Sequence, residues 1–242
     1  SAGMARASFG LANLMNRFII PRWFMEKIIG IHRKKILPDF RFSTFEQWSA
    51  KLGLIRENQK AETVLFQTCY VQHNEPQIGK DTLEVLEKNK VDCACVKGLR
   101  CCGMPAWEQG DLETLRVNAK HNLEILIPFV EKGSKVLVIN PTCSMMMRRE
   151  YTELLDGEDR ERAKKLSEAV NDPSEYLWNI RNEDRFNTDV NSMPNEKISY
   201  HAPCHLRAQG IGFKGRDLIK KITGSNVKTV MECCGHDGTY AM

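Results

Sequence analysis

Long hydrophobic runs are what this 242-residue chain most plainly lacks. Its richest apolar stretch is interrupted by Pro21, Arg22, Glu26 and Lys27, whereas a bilayer-spanning helix needs about 20 predominantly apolar residues in a row. A transmembrane protein is therefore not expected. Charge of one sign is also scarce: the formal net charge of +4 is too small to argue for a nucleic-acid partner. Glycines are present, but none falls into a phosphate-cradling loop or a dinucleotide fingerprint, and no Ser-His-Asp arrangement is visible. Flavin or nicotinamide is accordingly expected on a partner. No secretory signal is visible at this N-terminus.

Cysteine is the residue in excess. Nine in a chain of this length is high for a cytosolic protein and means either disulfides or soft-metal ligands. The count is odd, and two pairs are adjacent, Cys101-Cys102 and Cys233-Cys234. A bond within such a pair is disfavoured, because a disulfide needs well-separated Cα atoms and a near-perpendicular dihedral. Soft-metal ligation is the better reading.

The spacing supports it. Cys69 with Cys101-Cys102-Gly103 and Cys204 with Cys233-Cys234-Gly235 form two matched frames, offset by 135 residues at the lone cysteine and 132 at the pair. That is an internal repeat. The first frame continues to Pro141-Thr142-Cys143; a counterpart of Cys143 would fall at about position 275, so the second copy is expected to be incomplete in this sequence.

From Glu62 onward, short apolar stretches alternate with helical patterns, the signature of α/β domains with short, largely parallel sheets. Strands are expected over 63–68, 91–96 and 135–139, then over 197–201 and 227–231, with helices over 111–130 and 217–222. Every candidate ligand then falls at or just after the carboxyl end of a strand, where open α/β sheets place their binding sites. The predicted organisation is an amphipathic helical segment (1–58), a first cysteine-rich domain (59–156), a helical spacer (157–195) with Tyr176, Leu177 and Trp178 as anchors, and a second, C-terminally incomplete cysteine-rich domain (196–242).

In the first segment, Leu11, Leu14, Met15 and Phe18, then Phe24, Met25, Ile28 and Ile31 after Pro21, predict two short amphipathic helices. Arg17, Arg22, Lys27 and the run His32-Arg33-Lys34-Lys35 suit an anionic membrane surface as well as a protein partner. Ser43-Thr44-Phe45-Glu46 predicts a capping box opening another helix.

Thiolates select iron-sulfur clusters, zinc or copper(I). Cys69, Cys101, Cys102 and Cys143 supply a four-sulfur set in the first domain. Gly103 and Gly235, lacking a Cβ, let the backbone fold round the sulfurs and offer N–H groups to them. Cys93 and Cys95 share one strand face and read as small buried hydrophobes. His201, His205 and His236 flank the second frame, as polar neighbours or as groups that tune the site.

Phe66-Gln67-Thr68-Cys69, Arg100-Cys101-Cys102-Gly103-Met104-Pro105, Pro141-Thr142-Cys143-Ser144, His201-Ala202-Pro203-Cys204-His205 and Glu232-Cys233-Cys234-Gly235 together resemble the CCG cysteine-rich domain family, typified by the B subunit of heterodisulfide reductase. Its pattern is a cysteine, a long gap, Cys-Cys-Gly, another gap and Cys-x-x-Cys. Within it, Leu37-Pro38, Phe42-Ser43-Thr44-Phe45, the stretch from Pro76 to Asp81 and Gly238-Thr239-Tyr240 are similar to the iron-sulfur subunits of anaerobic glycerol-3-phosphate dehydrogenases. That resemblance covers nearly the whole chain.

It implies an electron carrier rather than the catalytic component. Electrons would pass from a flavin-containing dehydrogenase subunit toward quinone, at the cytoplasmic face of the inner membrane. Iron-sulfur clusters of the 4Fe-4S type would be held by Cys69, Cys101, Cys102 and Cys143, and by Cys204, Cys233 and Cys234. Such subunits begin with a ferredoxin-like domain, whose Cys-x-x-Cys-x-x-Cys runs are absent here, so that domain is expected upstream. The sequence departs from the family pattern at Met146, which stands where the last thiolate of the first Cys-x-x-Cys belongs. Two other readings stay open: a zinc-stapled adaptor between redox partners, and a thiol/disulfide redox catalyst of the heterodisulfide reductase kind.

Overall fold

The structure, a computed structural model, describes residues 11–57, 59–189 and 197–235. It opens with α1 (Leu11–Arg17), α2 (Ile19–Ile29) and α3 (Phe45–Lys51). The break between the first two falls at Phe18 rather than at Pro21, because proline is accepted in the first turn of a helix, where its missing N–H has no intrahelical partner. The capping box is likewise displaced by one residue. Thr44 Oγ1 accepts from the Gln47 N–H at 3.1 Å, and Gln47 Oε1 accepts from the Thr44 N–H at 3.1 Å. Thr-x-x-Gln satisfies the same two backbone donors as Ser-x-x-Glu, and Glu46 is left to accept from the Gly98 N–H at 2.9 Å.

The polarity of α2 is inverted. Its inner side carries Arg22, 3% exposed, whose guanidinium donates to the carbonyls of His32, Arg33 and Lys35 at 2.8, 3.2 and 2.6 Å. Its outer side carries Ile19, Ile20, Phe24, Ile28 and Ile29, with Ile28 79% exposed. Leu11, Leu14, Met15 and Phe18 extend the same exposure along α1. Asn13 pins the unit to the segment that follows, donating to Phe40 O at 2.8 Å and accepting from its N–H at 2.9 Å. Among the described residues no helix is long and apolar enough to cross a membrane.

The larger body follows: β1 (Thr63–Phe66), α4 (Cys69–His73), α5 (Pro76–Lys88), β2 (Cys93–Ala94), α6 (Met104–Glu108), α7 (Leu112–Val130), β3 (Lys135–Val138) and α8 (Pro141–Met145). A π-helical turn over Met146–Glu150 leads to α9 (Tyr151–Leu154), then to α10 (Gly157–Ala169), β4 (Val170–Asn171) and α11 (Pro173–Asn179). All strands are parallel, in the order β2-β1-β3-β4, with Thr63 opposite both Cys93 and Lys135. Helices cover both faces, so the strands are near-continuous apolar runs. Alternation then sorts them into two cores. Val64, Phe66, Val136 and Val138 pack with Leu115, Leu123 and Leu126 of α7, while Leu65 and Leu137 pack with Phe45, Val71, Leu86 and Tyr176 on the other side.

Of the segment expected as a helical spacer (157–195), the described residues 157–189 carry two helices and also supply β4 to this sheet. The charge run of α10 is committed to α7: Arg162 pairs with Glu124 at 2.6 Å and Lys120 with Asp159 at 3.0 Å. Tyr176 is buried, with Leu177 and Trp178 half-buried beside it.

The second copy has β5 (Ser199–His201), α12 (Cys204–Ala208), α13 (Lys214–Thr223) and β6 (Lys228–Val230). Its two strands are parallel, with Ser199 opposite Lys228. It rests on the first copy through α12 and α8, where Thr142 Oγ1 and His205 Nδ1 share a hydrogen bond at 2.7 Å and the Gln209 amide donates to Pro141 O at 3.0 Å. The architecture is the expected one, an α/β chain with short parallel sheets and a helical N-terminal piece.

Candidate metal centre

Three neighbouring strand ends deliver the first set of sulfurs. β1 leads into Cys69, β2 into the loop of Cys101 and Cys102, and β3 into Cys143. Because β1 lies between β2 and β3, their carboxyl ends sit side by side, and sulfurs distant in sequence meet there.

They form a string rather than a cage. Neighbouring thiols shift one another in a row: Cys69 is shifted chiefly by Cys101, Cys101 by Cys102 and Cys69, and Cys102 by Cys101 and Cys143. Cys69 and Cys143, its two ends, also feel one another's charge. Among the described residues no group of three or more His, Cys, Asp or Glu side chains closes around one point in the manner of a single-ion site. The string concentrates negative charge on one sulfur. Hydrogen bonds from Cys102 and then Cys69, with help from the Gly103 N–H and against the effect of burial, hold the Cys101 thiol well below its ordinary range. The hydrogen bonds to Cys101, followed by burial, push Cys69 and Cys102 up. Four cysteines gathered at adjacent strand ends are a donor set suited to a soft metal or an iron-sulfur group.

The local backbone explains how the sulfurs are held. Gly103 has φ +96°, and a Cβ there would lie 2.1 Å from Leu115 Cδ1, so only glycine both turns the chain and lets α7 approach. Before Cys69, Thr68 sits at φ 58°, ψ 157°, a region nearly reserved for glycine; a β-branched residue there carries about 1–3 kcal/mol of strain. Its hydroxyl accepts from the Val71 N–H at 3.3 Å and caps α4.

Two fully buried side chains behind the pair were not singled out from sequence. Asn122 Oδ1 accepts from the Arg100 N–H at 2.9 Å, and its amide donates to the carbonyls of Arg100 and Cys101 at 3.2 and 3.5 Å. The Tyr151 hydroxyl donates to Cys102 O at 2.9 Å. Nothing local in the sequence marks either residue, since both reach the loop across long separations. His121 braces the same loop through a 2.8 Å contact with Gly98 O.

Met146 is fully buried in the hydrophobic core beside Cys143, so the first site has four thiols and a thioether packed as a core side chain. Cys95 is buried, and Cys93 packs with it, in the other core, across the sheet from the string. Burial pushes both thiols up to about 12. The structure does not bring them to the site.

Cys204, Cys233 and Cys234 also follow the ends of paired parallel strands, but all three are exposed. The Arg207 guanidinium donates to Cys204 Sγ at 3.4 Å, and the Gly235 N–H donates to Cys233 Sγ at 3.3 Å. In the second copy, then, the glycine N–H of the motif reaches the first sulfur of its pair. Among the described residues no thiol-to-thiol bond joins this second set. His201 Nε2 is 2.8 Å from Glu232 O and ties β5 to the loop after β6; His205 faces Thr142. His236 lies outside the described residues.

The CCG cysteine-rich domain matches the chain twice, over residues 63–148 and 198–242, the second match being the shorter. The chain belongs to this family. It is 28% identical to a subunit of the anaerobic glycerol-3-phosphate dehydrogenase of Escherichia coli (strain K12) over 221 residues, which cover 90% of this chain and 54% of that protein. It is 29% identical over 184 residues to lactate utilization protein A 2 of Bacillus cereus (strain AH820), covering 74% of this chain and 73% of that one. The chain thus spans about half the length of the glycerol-3-phosphate dehydrogenase relatives it matches. No solved structure matches it.

Proposed function

We propose that this member of the CCG family is an iron-sulfur subunit of an oxidoreductase complex, carrying electrons between partners. The observation that carries the reading is the thiol string at three adjacent parallel strand ends. Four cysteines gathered at adjacent strand ends, two of them buried, form a donor set for a thiolate-held redox group. Cys69, Cys101, Cys102 and Cys143 would hold a 4Fe-4S-type cluster; Cys204, Cys233 and Cys234 are the candidate ligands of a second. Such a group, when bound, supplies one-electron storage. The chain's own residues supply its placement: Asn122 and Tyr151 fix the Cys101-Cys102 loop, and the Gly103 N–H favours the reduced, more negative state at Cys101.

In its finer form the proposal is that the donor is a flavin-containing subunit of an anaerobic dehydrogenase, with glycerol 3-phosphate as that subunit's substrate, and that electrons leave toward quinone. Similarity to a component of the anaerobic glycerol-3-phosphate enzyme supports this. A ferredoxin-like domain upstream in the full-length chain would complete the relay.

The outward apolar faces of α1 and α2 are proposed to seat the complex on the cytoplasmic face of the inner membrane. An exposed apolar patch of this extent marks an interaction surface, and Lys27, Lys34 and Lys35 beside it favour anionic headgroups. Deleting residues 1–31 is expected to release the complex from vesicles with its metal content unchanged; retention after the deletion would assign the patch to a protein partner.

The experiment that tests the main reading is anaerobic purification of the full-length chain, followed by iron, acid-labile sulfide and zinc analysis with EPR of the reduced and oxidised forms. Iron with matching sulfide and a reducible signal is the expected result, and the signal tells cubane from fused cluster. Stoichiometric zinc with EPR silence would overturn it in favour of a structural adaptor, since four thiolates also suit zinc.

A further inference from the structure

Beside the thiol string lies a cavity of about 350 Å³ whose walls include Gln67, Cys69, Leu99, Arg100, Cys101 and Asn118. Two of the proposed ligands therefore form part of its lining. No carboxylate does. Arg100 brings a permanent positive charge and a fork of N–H donors, and its side chain is exposed while its backbone is clamped by Asn122. Half-buried Leu99 offers apolar surface.

Gln67 on this wall carries an unmet acceptor. Gln67 is 2% exposed, and its Oε1 has no hydrogen-bond partner among the described residues. Buried acceptors are nearly always met, and one that is not calls for a ligand or an ordered water. Gln67 immediately precedes the strained Thr68 and stands two residues before Cys69, so the unmet oxygen belongs to the turn that presents the sulfur.

The cavity thus asks for three things at once: an apolar ring, an oxygen that accepts from a guanidinium, and an O–H that donates to an amide carbonyl. A quinone and its quinol meet all three with the same ring, since the carbonyl of one state accepts and the hydroxyl of the other donates. We propose that this cavity binds the headgroup of the quinone acceptor, with Arg100 and Gln67 as its polar contacts. The inference rests on the electron-carrier reading above and adds the place of exit. Reduced flavin on the dehydrogenase partner would supply the two electrons. Two protons from solvent complete the conversion of two C=O groups into two C–OH groups. Arg100 stabilises the ring oxygen as it gains negative charge, and Gln67 Oε1 accepts from the hydroxyl that results.

The test uses the anaerobically purified full-length complex and a tail-less 1,4-naphthoquinone. Binding to the oxidised complex is measured by calorimetry, without turnover, and reoxidation of the pre-reduced complex by stopped flow. Arg100→Leu is expected to weaken naphthoquinone binding about tenfold and to raise the concentration for half-maximal reoxidation by a similar factor, and Gln67→Leu to weaken binding of the corresponding naphthoquinol to the reduced complex about tenfold, with metal content unaltered in both. Arg100→Lys is expected to recover part of the loss. Because Arg100 is exposed, its variant remains informative if Gln67→Leu fails to fold. Binding equal to that of the unaltered complex in Arg100→Leu overturns the site, as does an iron-loaded complex that binds no naphthoquinone. Arg100-dependent binding to a complex holding zinc and no iron would keep the pocket and overturn the electron-carrier reading.

Discussion

The two cysteine frames share a spacing and a strand arrangement, yet they differ in what stands behind them. In the first copy Cys102 and Cys143 are buried, and Cys69, Cys101 and Cys102 are each shifted by neighbouring thiols, Cys143 among them. In the second, Cys204, Cys233 and Cys234 are exposed, with an arginine and a backbone N–H as their hydrogen-bond partners. The first rests on four parallel strands with helices over both faces, the second, among the described residues, on two strands with α13 packed against α11. A cysteine after a strand is enough to bring a sulfur to a sheet's carboxyl edge. Making the sulfurs meet takes a third strand end and a core that holds the loops in place.

The sharpest way to break this comparison is to remove sulfurs. Cys101→Ser or Cys102→Ser is expected to abolish the first site's metal content, while Cys93→Ala leaves it largely intact because Cys93 lies across the sheet. Metal analysis of the purified full-length variants checks this, and equal losses in all three would sink the ligand assignment.

Next in size are the two motif glycines. Gly103→Ala meets both a left-handed backbone and Leu115 at 2.1 Å, and is expected to cost about 3 kcal/mol or more. Gly235→Ala, at φ 62°, is expected to cost about 1–2 kcal/mol from the left-handed penalty. Denaturant melts of the two variants compare them directly; equal costs would mean that the approach of α7 does not constrain the first loop.

The braces come third. Asn122→Ala leaves buried loop groups unmet and is expected to cost about 1–3 kcal/mol and to weaken metal retention at the first site under chelator challenge. His201→Ala removes an exposed bond in the second copy, for which a loss within about 0.5 kcal/mol is expected. A larger effect at His201 would show that the second copy is held more tightly than its exposure suggests.

The smallest effect is acid sensitivity. Glu62, just before β1, accepts from Arg185 at 2.6 and 2.8 Å and from the Tyr176 hydroxyl at 2.5 Å. Arg185 above all holds its carboxyl below the usual carboxylate range. A depressed pKa contributes stability that is complete above the unfolded-state value, about 4.3, and is lost as pH falls through the folded one. Glu62→Gln is therefore expected to flatten the acid limb of the first copy's stability curve below about pH 4. An unchanged limb in thermal melts between about pH 3 and 7 would assign it to other carboxylates.

Much of this was legible from residues alone. The positions of β1, β3, β5 and β6, the helix opened by Asp111 and the placement of every motif cysteine at a strand end follow from local periodicity and turn chemistry. Details that depend on competition between near-equal local options were less so. The capping box settled on Thr44 rather than Ser43, and the helix break on Phe18 rather than Pro21. Strand β2 shortened to Cys93–Ala94, with Cys95 forming only an isolated bridge to Ile55.

By itself the sequence determined that there are two matched frames and that their sulfurs emerge at strand ends, because alternation and spacing are properties of the chain over a few residues. Tertiary structure decided which sulfurs meet. It placed β1 between β2 and β3, put Cys93 and Cys95 on the far side of the sheet, and enlisted Asn122 and Tyr151 from distant helices to clamp the pair. It also turned α2 inside out, with Arg22 within and its isoleucines without. Such outcomes depend on strand order and on which side chains find partners across long separations, and no local stretch of residues carries that information.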